Sequence, residues 1–277
     1  MKDTRERNGM YLADYHTHSL CSPDARFSMA DMARAAAAAG VQEMCFTDHI
    51  ETAPIGEIRP SCDWSALEDS FEAARREMEG QPIVLKLGAE LGGANADFAA
   101  AERIMSQSPE LDFVIGSIHA LSGAYGRRSL YYFDCESEEE ARLAIGDYLD
   151  QVLLLARWGQ FDVLGHLTLP LRYLNEKHGM HMNFDGFEER LEAIFQALIA
   201  NGCGIELNTN RGNEPLPGEK WLRMYRRLGG ERITLGSDAH TPEYVGCALR
   251  QNQELLKACG FTRFCCYSRR RPQWHDL

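Results

Sequence analysis

The feature that most constrains the fold is a unit that repeats seven times along the chain. Each unit is a short apolar run followed by a segment with helical periodicity. The runs, each of which predicts a buried strand, cover residues 12–15, 41–46, 83–87, 113–118, 161–164, 204–207 and 233–235. The helical segments that follow cover residues 28–40, 63–79, 96–105, 137–158, 185–200, 218–228 and 242–258. Alternating units of this kind predict an α/β fold with a parallel sheet covered by helices.

Two architectures satisfy this pattern, a closed (β/α) barrel and an open doubly wound sheet. An open dinucleotide-binding sheet usually carries a glycine-rich phosphate loop after its first strand, and none follows residues 12–15. The pattern therefore favours the barrel, and the open sheet remains the alternative. The 277 residues contain no linker, no repeated amino-acid sequence and no low-complexity tract, so we expect a single domain over residues 1–277.

Charge and composition exclude several classes of function. The formal net charge is −12, which disfavours nucleic-acid binding, because that binding depends on Lys and Arg that release counterions from phosphates. No apolar run approaches the ~18 residues of a membrane span, and no secretory signal begins the chain. The nine cysteines form no CxxC pair, so we expect buried free thiols in a cytoplasmic protein.

Histidines occur at the ends of the apolar runs far more often than chance placement explains. Six of the nine directly follow such a run: His16, His18, His49, His119, His166 and His240. A single histidine there is more often a satisfied polar group than a ligand, but six from five strands indicate a common site. The carboxyl ends of barrel strands are where active sites are built. We interpret the other three as structural or exposed: His178, His181 and His275.

Three carboxylates occupy comparable positions. Glu90 ends the third run, Asp238 follows the seventh, and Asp24 lies in the first loop. Ligands at i and i+2 lie on the same side of an extended segment, so each of the pairs 16/18 and 238/240 reaches one shared centre. Imidazole and carboxylate without thiolate suit zinc, iron or manganese. Three such ions, three carboxylates and one bridging hydroxide give a net charge of about +2, which suits a phosphate monoester.

The motifs in chain order resemble those of one family. They are HTH at 16–18, TDH at 47–49, a glutamate after the third run, GSIH at 116–119, GH at 165–166 and SDAH at 237–240. Together they identify the chain as a member of the polymerase and histidinol phosphatase (PHP) superfamily. The resemblance implies a distorted (β/α)7 TIM-like barrel with a trinuclear site that holds about two to three divalent ions of zinc, iron or manganese.

The resemblance also divides the ligands among three metals. It implies His16, His18, Glu90 and Asp238 for the first metal, Glu90, His119 and His166 for the second, and Asp24, His49 and His240 for the third. The Asp24 version of the first loop and the segment at 206–209 resemble the histidinol-phosphatase branch. This branch implies hydrolysis of L-histidinol phosphate to L-histidinol and phosphate, in histidine biosynthesis, by attack of a metal-bridging hydroxide.

Two other functions remain open on the sequence. One is a PHP phosphoesterase that acts on nucleotide or sugar phosphates, and the other is a non-catalytic metal-binding scaffold. All nine predicted ligands are present, whereas degenerate scaffolds usually lose some, so the enzyme is favoured. We expect Glu90, Asp238 and His240 to act in catalysis.

Substrate-binding residues are expected in the loops at the same end of the barrel. Arg211 and Arg172 each follow a strand end, and guanidinium groups bind phosphate oxygens in a bidentate manner. Asn208 is a candidate for orienting a ligand. For the cationic end of histidinol phosphate, the second and fourth loops offer acidic and aromatic side chains: Glu51, Glu57, Tyr125, Tyr131 and Tyr132.

Overall fold

The computed structural model describes residues 10–55 and 63–277. Each of the seven predicted apolar runs forms a parallel strand, and a further short strand follows the second. The eight strands are β1 (Ala13–Thr17), β2 (Glu43–Phe46), β3 (His49–Glu51), β4 (Val84–Gly92), β5 (Phe113–Ser117), β6 (Val163–Leu164), β7 (Gly204–Asn208) and β8 (Ile233–Gly236). Their order is β1-β2-β4-β5-β6-β7-β8, with β3 paired to β4.

The sheet curls so that its two ends meet. Thr17, the last residue of β1, bridges in parallel to Ala239, which lies three residues after the end of β8. The amide of His18 donates to the carbonyl of Ala239 at 2.9 Å, and the amide of Asp238 donates to the carbonyl of His16 at 2.8 Å. These bonds close the barrel next to predicted metal ligands. The barrel prediction is therefore confirmed, and the open-sheet alternative is wrong.

Helices cover the outside of the barrel. They are α1 (Met29–Ala38), α2 (Trp64–Glu77), α3 (Phe98–Met105), α4 (Glu138–Trp158), a short α5 (Leu169–Leu171), α6 (Glu188–Ala200), α7 (Glu219–Arg227) and α8 (Leu249–Ala258). A π-helical turn (Arg172–Lys177) continues α5. The remaining helical turns are of the 3-10 type: Ala94–Ala96, Gly123–Tyr125, Leu130–Tyr132, Asn210–Gly212 and Pro242–Tyr244.

Side-chain caps explain why several helices begin where they do. Ser28 accepts the amide of Asp31 while the Asp31 carboxylate accepts the amide of Ser28, which forms a capping box at α1. Ser137 caps α4 by accepting the amide of Glu140. Both caps coincide with the predicted helix starts.

Two segments differ from the sequence prediction. The helix expected over 242–258 is a 3-10 turn followed by α8, because Gly246 and Ala248 adopt positive φ values of 72° and 56° that interrupt it. The last residues form an antiparallel hairpin, β9 (Arg263–Ser268) and β10 (Arg271–Asp276), which was not predicted. This hairpin packs beneath the amino ends of the barrel strands, where Phe113 lies 4.9 Å from the Tyr267 ring.

The structure also bears on the composition arguments. Among the described residues, no helix is both long enough and apolar enough to cross a lipid bilayer. The cysteines of residues 10–55 and 63–277 are free thiols, five of them buried and three partly buried. Cys62 lies outside the described residues.

We predict that Gly88→Ala destabilises the barrel by about 1–3 kcal/mol, as expected for a group forced into a packed core. A methyl group at this position of β4 would lie 2.7 Å from the carbonyl oxygen of Phe113 and 2.8 Å from Cys45 Sγ. Denaturant unfolding measures the loss. Gly123→Ala is the matched control, because a methyl group there meets nothing within 4 Å, and we expect a change within about 0.5 kcal/mol. Equal stability of the two variants would contradict the packing argument.

Candidate metal centre

The nine predicted ligands converge at the carboxyl end of the barrel. Barrel closure brings residues from distant parts of the sequence together at this end. For example, His18 of the first loop stacks on His240 with ring centres 4.1 Å apart. The carboxylate of Glu90 lies at the centre of the cluster, where it is fully buried and makes the shortest contacts with the other predicted ligands.

Glu90 lies among five imidazoles. Its Oε1 is 2.8 Å from His166 Nε2 and 3.0 Å from His119 Nε2. Its Oε2 is 2.8 Å from His49 Nδ1, and it also faces the Nε2 atoms of His16 at 3.4 Å and His18 at 3.6 Å. One carboxylate therefore contacts members of all three ligand groups that the resemblance implies.

Asp238 forms the second anionic point of the cluster. Its Oδ1 lies 3.3 Å from His18 Nε2 and 3.6 Å from His16 Nε2, while Oδ2 accepts a 2.6 Å hydrogen bond from Arg172. The backbone of Asp238 has a φ of 56°, in the left-handed region that few residues other than glycine adopt. The barrel closure and the arginine together hold this carboxylate against the two histidines.

Asp24 forms the outer part of the cluster. Its Oδ2 lies 3.2 Å from His240 Nε2 and 3.6 Å from His49 Nε2, and its side chain is 57% exposed. The imidazoles of His18, His49 and His240 offer ligand atoms within 4.8 Å of one another. The third predicted group of ligands is therefore assembled, but at the open side of the site.

The donor atoms fit divalent transition metals. Several buried atoms have no hydrogen-bond partner among the described residues: His16 Nε2, His18 Nε2, His49 Nδ1 and Glu90 Oε2. Buried polar atoms are rarely left unpaired, so these atoms point to a missing partner. Two ligands at the usual 2.0–2.2 Å from a tetrahedral metal lie about 3.4 Å apart, which is close to the separations around Glu90 Oε2 and Asp238 Oδ1.

The electrostatics divide the ligands into two groups. Burial favours the neutral imidazole, but the nearby carboxylates outweigh it and raise the pKa values of four histidines: His16, His49, His119 and His240. Glu90 and His18 are shifted toward the states that metal ligands need. Burial favours the neutral acid at Glu90, but the surrounding imidazoles, led by His119, outweigh burial and hold the pKa of this carboxyl well below its ordinary value. Burial and the nearby imidazoles of His240 and His49 lower the pKa of His18 well below its ordinary value. An ionised Glu90 beside a neutral His18 is therefore favoured in the protein itself.

Glu206 is a functional residue that the sequence reasoning did not identify. It lies on β7, is 1% exposed, and places Oε1 2.7 Å from His16 Nδ1. Its Oε2 accepts the amide of His166 at 2.7 Å. A carboxylate on the second ring nitrogen fixes the tautomer and orientation of a metal-binding histidine. The sequence signal that could have identified it is a glutamate inside an otherwise apolar run at residues 204–207.

Three other polar side chains support the ligands. Ser117 donates to Glu90 Oε1 at 2.7 Å, and Glu51 Oε1 lies 2.5 Å from His119 Nδ1. Asp48 accepts from the amide of Ser19 and the hydroxyl of Ser22, which orders the loop that carries Asp24. Glu51 therefore contacts a predicted metal ligand, whereas it was expected to bind the cationic end of the substrate. Glu57 lies outside the described residues.

The two predicted arginines occupy different environments. Arg172 is 9% exposed, and its guanidinium donates to Asp238, Asn208 and Asn210. Arg211 is exposed, has a φ of 56°, and lies with Cζ 5.4 Å from the centre of the Tyr244 ring. Asn208, expected to orient a ligand, accepts from Arg172 through Oδ1 and donates through Nδ2 to Glu206 at 3.3 Å.

We predict that Glu206→Gln lowers metal affinity by about 10–100-fold, the usual cost of losing a partner of a ligating histidine. The amide keeps the shape of the carboxylate but cannot accept from both His16 and His166. Chelator competition measures the metal dissociation constants. Glu254→Gln, at an exposed position on α8, is the control and should bind metal as the unmodified protein does. Unchanged affinity in Glu206→Gln would remove Glu206 from the site.

The chain is similar to several known proteins. A histidinol-phosphatase of Lactococcus lactis subsp. lactis is 27% identical over 263 residues, which span 92% of this chain and 94% of that protein. A probable histidinol-phosphatase of Thermotoga maritima is 26% identical over 253 residues, which span 90% and 93%. The crystal structure of the Lactococcus lactis histidinol phosphate phosphatase, complexed with zinc, L-histidinol and phosphate, matches with a TM-score of 0.81 at 24% identity and covers 96% of this chain and 100% of that chain. The PHP domain family model matches residues 14–210, well over half of the chain, and the protein therefore belongs to the PHP domain family.

Proposed function

We propose that this protein is a metal-dependent phosphatase that hydrolyses L-histidinol phosphate to L-histidinol and phosphate, a step of histidine biosynthesis. The observation that carries the proposal is the buried Glu90 carboxylate in contact with five imidazoles. The relatives named as histidinol-phosphatases align over nearly their whole length and support the same substrate. We further infer that residues 1–277 work as a single domain, because the C-terminal hairpin packs against the amino ends of the barrel strands, which form the barrel floor.

The centre would hold about two to three divalent ions of zinc, iron or manganese. We assign the ligands as His16, His18, Glu90 and Asp238 for the first, Glu90, His119 and His166 for the second, and Asp24, His49 and His240 for the third. When bound, such ions lower the pKa of water and neutralise charge on phosphate oxygens. The protein's own contribution is to hold Glu90 ionised among the ligand groups and to orient imidazoles through neighbouring side chains, as Glu206 does for His16, Glu51 for His119 and Ser22 for His18.

Two arginines would serve the phosphate in different ways. Arg211 is exposed and free of hydrogen bonds to described carboxylates, so it is suited to bind phosphate oxygens directly. A guanidinium has five N–H groups. Arg172 donates three of them to Asp238, Asn208 and Asn210. It would therefore fix the Asp238 carboxylate and leave two N–H groups for the substrate.

The fourth loop supplies the aromatic part of the pocket mouth. Tyr131 and Tyr132 are 51% and 65% exposed, and the Tyr131 ring meets the edge of Tyr173 at 5.7 Å. Tyr173 directly follows Arg172, so these rings extend from the metal centre to the surface. Lys177 Nζ lies 4.5 Å from the centre of the Tyr131 ring and covers part of it. We propose that the other aromatic faces pack against the imidazole of the substrate.

We predict that Glu90→Gln reduces kcat/KM by on the order of 10³-fold, about 4 kcal/mol, whereas Asp24→Asn loses roughly tenfold. Glu90 is buried and shared among ligand groups, while Asp24 is largely exposed and contacts only the outer histidines, His49 and His240. Steady-state kinetics with elemental analysis of each variant make the measurement. Equal impairment of both variants at unchanged metal content would overturn the division of ligands.

The substrate is tested with a panel of phosphate monoesters on the metal-loaded protein. We expect kcat/KM for L-histidinol phosphate to exceed that for nucleotide monophosphates by on the order of a hundredfold, about 2.7 kcal/mol. Equal or better turnover of nucleotide or sugar phosphates would make the protein a phosphoesterase of different specificity. No phosphate release from any monoester, with metal bound, would leave only a scaffold role.

A further inference from the structure

A second group of metal-ligating side chains lies at the opposite end of the barrel. Glu43 begins β2, Cys266 lies on β9 and His275 lies on β10, and each offers a ligand atom within 4.8 Å of the others. Glu43 is at the amino end of its strand, whereas the catalytic ligands follow carboxyl ends. The cluster is therefore separate from the site described above, and it joins the C-terminal hairpin to the barrel floor.

The hairpin register brings its two ligands together. Cys266 pairs with Gln273, and His275 pairs with Phe264 two residues further along. Directly paired residues of antiparallel strands share a face, as do residues two apart, so Cys266 and His275 are diagonal neighbours on one face. That face meets the barrel at this point, because the ligand atoms of Cys266 and His275 lie within 4.8 Å of the carboxylate of Glu43 on β2.

The carboxylate and the imidazole are held in fixed orientations. Tyr11 donates to Glu43 Oε2 at 2.8 Å, and the Tyr15 hydroxyl donates to Glu43 Oε1. The ring of His275 stacks on Tyr11 with centres 4.0 Å apart and an interplanar angle of 4°, and Phe264 lies on it at 5.5 Å. Stacking covers the faces of the imidazole and leaves its edge nitrogens for coordination. Outer partners of this kind are what orient ligands at metal sites.

We propose that Glu43, Cys266 and His275 bind one zinc-class divalent ion that fastens the hairpin to the barrel. A thiolate, an imidazole and a carboxylate form a mixed set that suits zinc and excludes calcium and magnesium. On binding, the Cys266 thiol gives its proton to solvent and forms a sulfur–metal bond. His275 is partly exposed, so an ion has a path of entry and water has access to the fourth coordination position.

Cobalt(II) tests the proposal, because only a thiolate ligand gives an intense near-ultraviolet sulfur-to-cobalt charge-transfer band. The catalytic ligand set contains no cysteine, so cobalt bound there gives no such band. We expect the full-length protein loaded with cobalt to show the band and to bind one ion per chain beyond the catalytic centre. Cys266→Ser should lose both the band and that ion while phosphatase activity is retained.

The matched control is Cys265→Ser, the neighbouring buried cysteine, whose Sγ faces the carbonyl of Ile233. This variant should keep the band. His275→Gln, at a partly exposed position, should lose the band and serves if Cys266→Ser does not fold. Absence of the band in the unmodified protein, or its survival in both Cys266→Ser and His275→Gln, would overturn the proposal.

Discussion

The rest of the structure depends on the burial of one charged carboxylate. Glu90 is 0% exposed, and an ionised carboxylate in such a place is strongly disfavoured unless it is paired and hydrogen-bonded. The imidazoles supply that compensation only when strands from distant parts of the chain end beside β4. Removing the anion would leave these imidazoles crowded together, since His18 and His240 already stack at 4.1 Å. The metal centre and the closed barrel are thus parts of one electrostatic arrangement.

Backbone strain at the site follows from the same arrangement. Asp238, Asn210 and Arg211 all have positive φ values, of 56°, 47° and 56°, which cost energy in residues that have a Cβ. Arg172 offsets this cost by donating to Asp238 Oδ2 and to the side-chain oxygen of Asn210. One buried guanidinium therefore links the strained turn after β7 to the strained turn after β8. Such turns direct side chains inward where a relaxed strand end would not.

The sequence predicted the barrel and the cluster of histidines and carboxylates at its carboxyl end, because both rest on local patterns. The run that leads to His16 and His18 is an apolar strand with histidines at i and i+2, a pattern that can be recognised within about five residues of sequence. Glu206 was missed because its role depends on which strands become neighbours, and β7 reaches His16 only through barrel closure. The hairpin of β9 and β10 was missed for a related reason. Its two strands are joined by a turn in which Arg269 and Arg270 adopt positive φ values without a glycine to signal it, and the buried side chains of β9 find their partners only on the barrel floor.

The two ends of the barrel divide chemistry from stability. At the floor, Arg270 donates to the Asp162 carboxylate just before β6, and the Tyr15 hydroxyl of β1 donates to the carbonyl of Tyr267 and accepts from its amide, so the hairpin is tied to two places on the barrel. A thiolate ligand suits a structural ion at this end, because it binds the ion tightly and leaves it little positive charge to attract a substrate. At the carboxyl end, imidazole and carboxylate ligands keep more positive charge on bound ions and leave positions open. The difference in ligand type between the ends therefore follows from what each end must do: one holds the fold together, and the other must exchange an anionic substrate with solvent.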